Sequence, residues 1–83
     1  MSYERSFYRL LVVAESDPSA LARVIERFQQ LNIVPRRVLA ELDDAGLLNI
    51  CVDVEGLKHD AVLFIAAKVG QMPCIVDSLL QPA

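Results

Sequence analysis

With 83 residues the chain is long enough for one small domain, which buries roughly 60–65% of the surface its unfolded form exposes. Apolar residues make up 54% of it, with no Trp, and so rich a share in a short domain points to apolar surface covered by a second chain. Eight Lys and Arg against eleven Asp and Glu, a net charge of −3 and a pI near 4.9 argue against nucleic acid, and no apolar run approaches the ~18 residues of a membrane span.

"MSYERSFYRL" carries two arginines and a glutamate ahead of any apolar run, so it does not read as a secretory signal. "SFYRLLVVA", 6–14, is branched and aromatic and predicts a first strand. Tyr8, Leu10, Val12 and Ala14 point one way; Phe7, Arg9, Leu11 and Val13 point the other. "ESDPSAL" follows, with Asp17 placed as a helix N-cap and Pro18 at the first helical position. Leu21, Val24, Ile25, Phe28 and Leu31 then recur at helical spacing, with Arg23, Glu26, Arg27 and Gln30 opposite. Asn32 tolerates a left-handed conformation and suits the end of this helix.

"IVPRRVLAEL", 33–42, reads as a second strand. Pro35 cannot donate to a ladder, so it marks either an edge strand or the strand's start. "DDAG", 43–46, is a turn. "LLNICVDV", 47–54, is a third strand with Leu48, Ile50, Val52 and Val54 inward and Asn49, Cys51 and Asp53 outward. "GLKHDAVLFIAAKVG", 56–70, predicts a second helix with Ala61, Val62, Ile65 and Val69 as its core stripe and Gly70 as its stop. "CIVDSLL", 74–80, closes the chain as a fourth strand.

This order predicts an α+β, ferredoxin-like βαββαβ sandwich over 1–83: a four-stranded antiparallel sheet with two helices on one face, first and third strands central. The uncovered face would carry Phe7, Arg9, Leu11, Val13, Arg37, Leu39, Glu41, Asn49, Cys51 and Asp53, too apolar along the first strand for free solvent.

Catalytic signals are thin. His59 is the lone histidine, and a pairing with Cys51 or Cys74 as base and nucleophile is the remote enzyme reading. Two half-buried thiols and a surface histidine are the plainer account. "KHD", 58–60, offers no metal-ligand spacing, so neither a metal nor a cofactor is expected. Two cysteines are also too few for a disulfide framework, which suits a reduced cytoplasmic setting. "PRR", 35–37, reads as edge-strand charge, and Asp43 with Asp44 as turn residues. The strand-to-helix turn at Asp17 keeps one further use, because free N–H groups at a helix start attract a carboxylate.

"YRLLVVAESDPSALARVIERF" through "VGQMPCIVDSLL" resembles the ACT family of small regulatory domains, most nearly the small regulatory subunits of acetolactate synthase. "DPSALARVIERF" carries the likeness; Ser19 stands where the family keeps Gly, and Val34 where those subunits keep Asn. The resemblance implies the same βαββαβ fold, side-by-side dimers, and an amino acid bound at the seam between subunits. By position, Asp17, Pro18, Ser19, Ala20 and Leu21 would face Val34 and Pro35 of a second copy. It implies a non-enzymatic domain whose partners are itself, a catalytic enzyme subunit and a small amino acid. A ligand-free dimerisation module is the competing reading.

Overall fold

The structure, a computed structural model, describes residues 7–82. Ser6, the expected first residue of the first strand, lies outside them. The elements run β1 (Phe7–Glu15), α1 (Ala20–Gln30), β2 (Arg37–Leu42), β3 (Leu47–Glu55), α2 (His59–Gly70) and β4 (Ile75–Pro82). The strands form one antiparallel sheet in the order β2-β3-β1-β4. This is the expected ferredoxin-like βαββαβ arrangement, with β1 and β3 central and β2 and β4 at the edges.

The period-two pattern decides which side of the sheet is wet. Leu10, Val12 and Ala14 of β1 and Ile50, Val52 and Val54 of β3 are buried against the helices. From α1 come Ala20, Val24 and Phe28, and from α2 Val62, Ile65 and Val69. Each such side chain larger than alanine contributes about 1.5–3 kcal/mol of transfer free energy. Leu21 and Ile25 are half-buried at the flanks of the α1 stripe.

Asn32 stops α1 as expected. Its φ is 59°; its N–H donates to the Gln29 carbonyl at 2.9 Å, and the next N–H, of Ile33, reaches back to Phe28 at 2.9 Å. This pair of bonds satisfies the orphan carbonyls of the last turn, and Ile33 packs back on the core.

Strand ends shift by one or two residues, and four starts differ from the sequence reading for reasons the backbone shows. β2 begins at Arg37 rather than Ile33, because Pro35 has no N–H and Asn32 has already turned the chain; the Arg36 N–H makes the first contact, with the Asp53 carbonyl at 2.8 Å. α1 begins at Ala20, with Ser19 and not Asp17 in the capping position. α2 begins at His59 rather than 56, since Gly56 has φ 74° and leaves the helical region. Cys74 precedes β4 instead of lying in it, and is buried in the core rather than half-buried.

Candidate functional site

The β1–α1 turn is built around one carboxylate. Asp17 Oδ1 accepts the Ser19 N–H and the Ser19 hydroxyl, both at 2.8 Å. Its carbonyl accepts the Ala20 N–H at 2.9 Å, a tight turn that delays the helix. So Asp17 satisfies a donor of the approaching helix, as a cap does, but from two positions further out. The Ser19 N–H holds this carboxyl below its ordinary 3.8, the Ser19 hydroxyl adds to it, and the charge of Arg23 helps while partial burial opposes.

A group stabilised in its charged form strengthens the fold above its ordinary pKa and stops doing so as pH falls through its lowered one. Asp17→Asn is therefore expected to lower Tm by a few degrees at pH 7 and by less near pH 3. Thermal melts across that interval check it; a penalty constant with pH would contradict the assignment.

The seven candidate residues fall into two groups. Asp17, Ser19 and Leu21 are half-buried and Pro18 is exposed, while Ala20 is fully buried and offers only its backbone. Val34 and Pro35 lie far from them within the chain. The turn follows Glu15, which pairs with Leu47 at one end of the sheet. Val34 and Pro35 precede Arg37, which pairs with Asp53 at the other end. Val34 is 88% exposed, with nothing over it among the described residues.

The face of the sheet left uncovered among the described residues carries the ten residues expected there, and a groove of about 470 Å³ runs along it between Leu11, Val13, Leu39, Glu41, Asn49 and Cys51. Arg9 grips Asp53 with two bonds, Nε to Oδ1 at 2.8 Å and Nη2 to Oδ2 at 3.0 Å. The pair stabilises both charges: Arg9 is pushed up and Asp53 down. Three residues on this face were not legible in the sequence. Asp77, Leu79 and Gln81 of β4 pair with Val13, Leu11 and Arg9, so they share it.

The remote cysteine–histidine reading fails on geometry. Cys51 is on the uncovered face, whereas His59 starts a helix on the other face and meets the Tyr8 hydroxyl at 3.2 Å. Burial, aided by Asp53, pushes the Cys51 thiol up, away from a thiolate. Cys74 is in the core at the end of the sheet remote from His59. Asp43 does turn work: its carboxylate accepts the Ala45 and Leu47 N–H groups and the Asn49 amide, at 2.9, 3.0 and 2.9 Å. Among the described residues, no three His, Cys, Asp or Glu side chains gather as metal ligands. No helix there is long and apolar enough to cross a membrane.

No protein-family model matches the chain, and no curated protein matches it. Solved structures match it in fold. Uncharacterized protein TM1266 from Thermotoga maritima is similar over 95% of this chain and 98% of that one, with TM-score 0.76 and 19% identity. The ACT domain from GTP pyrophosphokinase of Chlorobium tepidum is similar over 94% and 100%, with TM-score 0.79 and 9% identity. A homoserine dehydrogenase from Thiobacillus denitrificans matches 95% of this chain with 17% of its own, at TM-score 0.74 and 16% identity. The fold is thus ACT-like. At these identities the likeness speaks for the backbone arrangement alone.

Proposed function

We propose that the chain is a regulatory ACT-like domain that pairs with a second copy and holds an amino acid, or a related small ligand, at the seam. It would act on a catalytic partner such as acetolactate synthase. The observation that supports this reading is the separation of the two half-sites to opposite ends of one sheet, with Val34 left 88% exposed. The strand β2 is an edge, and an antiparallel pairing of two β2 edges reverses one copy against the other. The partner's Val34 and Pro35 then arrive at the end of the sheet where Asp17 to Leu21 sit.

In this reading Asp17 shapes the turn, Ser19 and Leu21 offer polar and apolar contacts, and Val34 with Pro35 lines the apolar end. Pro18 fixes the backbone, and the Ala20 peptide belongs to the same turn. A ligand that bridges two copies binds the pair better than the single chain. It therefore shifts the population towards one packing, and an attached enzyme can sense that packing.

A specific observation favours the second reading, a ligand-free dimerisation module. The Ser19 N–H and hydroxyl are already taken by Asp17, and the Ala20 N–H by the Asp17 carbonyl. A ligand carboxylate must displace Asp17 or use the later N–H groups of the first turn. Thermal-shift scanning with the twenty amino acids separates the two. The sensor reading expects selective stabilisation by one chemical class, about 2–3 kcal/mol at a hundred times its Kd. A flat response at millimolar concentrations would leave the dimerisation module.

A further inference from the structure

The uncovered face of the sheet is ordered by charge across all four strands. Its central row is apolar and runs Leu39, Cys51, Leu11, Leu79 from β2 to β4. One flanking row runs Glu41, Asn49, Val13, Asp77, with two carboxylates and no cation. The other runs Arg37, Asp53, Arg9, Gln81, where the bound Arg9–Asp53 pair leaves Arg37 as net positive charge. Leu39 and Leu79 at the ends of the central row are 43% and 56% exposed.

We infer that this face stacks on the same face of a second copy, about a two-fold axis that runs along the apolar row. That axis carries each row to its mirror position. The apolar row meets itself, and the acidic row of one copy meets the Arg37 row of the other. Glu41 then faces Arg37, and Asp77 faces Gln81. The other in-plane axis, parallel to the strands, sets Glu41 over Asp77, like charge on like, which costs several kcal/mol. The charge order therefore selects a second copy and one orientation. Stacked sheets lie about 10 Å apart with strands within about 30° of alignment, which suits a flat apolar row.

The three rows cover roughly 400 Å² per copy, from strand spacing and rise. About 800 Å² in total is below the ~1,200 Å² at which specific, stable interfaces begin. The single stack is thus weak. If β2 edges pair as proposed above, each edge-paired dimer presents the face twice and the contact gains from multivalency. This surface stands apart from the amino-acid site, and the residues that test it lie on β4, at the sheet edge opposite β2.

Sedimentation equilibrium of the full chain over a range of concentrations tests the stack. Leu79→Asp puts two carboxylates on the axis and is expected to weaken the self-association on the order of a hundredfold. Gln81→Lys sets a cation over the partner's Asp77 twice per stack. It is expected to tighten association about three- to tenfold, a gain lost in about 0.5 M salt. Circular dichroism melts confirm that both variants are folded, and the gain from Gln81→Lys does not depend on the other. A chain monomeric at every concentration, an association indifferent to Leu79→Asp, or one weakened by Gln81→Lys would overturn the inference. A wild-type dimer that ignores both variants would belong to the β2 edge alone.

Discussion

Phe28→Ala is expected to remove a third or more of the stability of this domain. Phe28 is the largest fully buried side chain, 2% exposed, and it faces the sheet from the last full turn of α1. Truncating a buried Phe to Ala costs about 3–5 kcal/mol, because lost transfer energy and a residual cavity add. A domain of this length has roughly 4–12 kcal/mol in all. Ile33, which leads to Val34, packs against the core cluster that holds Phe28. Loss of the ring therefore loosens the approach to Val34 as well as the core. Urea melts should show the midpoint falling by a third or more. Phe64→Ala is the control, since Phe64 is 52% exposed on the outer side of α2; it should cost under about 1 kcal/mol. Similar losses for the two would contradict the packing described here.

The second large effect joins the core to the candidate site. Ala20 is completely buried under the β1–α1 turn. Ala20→Leu adds three carbon atoms where no space exists, and overpacking of this kind costs about 1–3 kcal/mol. The relief lies upward, into the turn, because Ala20 belongs to a close-packed core cluster of strand and helix side chains. The bonds from Ser19 to Asp17 should lengthen or break. For a domain of this size Tm is expected to fall by roughly 5–20 °C. The amide resonances of Ser19 and Ala20 should move more than those of the hairpin at Asp43. Ala22→Leu, two residues further on and exposed, should leave Tm nearly unchanged. Equal effects of the two variants would mean that the turn is not seated on Ala20.

The parts of this fold that sequence reveals are those held by local rules. The strict alternation in β1 and β3 gave their inward residues, since a one-residue slip would reverse every side chain. Asn32 announced the end of α1 because few residues accept its backbone conformation. The start of β2 was harder to place, since Ile33 and Val34 look like strand residues. Pro35 and the left-handed Asn32 keep them out of the ladder, a restraint on backbone rather than on composition. Asp17 reads as a cap from its place before Pro18. Its hold on Ser19 is a matter of side-chain aim, which spacing does not encode.

The β4 contribution to the uncovered face was illegible for a different reason. "IVDSLLQP" lacks clean alternation, and the pairing with β1 shifts register between Val13 and Ala14. Which of its residues join Leu11 depends on a partner strand more than sixty residues earlier in the chain. The division of the candidate site between two ends of the sheet is likewise a property of topology. No motif in "DPSALARVIERF" states where Val34 will lie.

Native mass spectrometry with the amino-acid panel tests whether a small ligand occupies a seam between two copies. Dimeric ions are expected to retain one or two ligands of a single chemical class while monomeric ions retain none. Ligand held by the monomer, or dimers that remain bare throughout at millimolar amino acid, would contradict it.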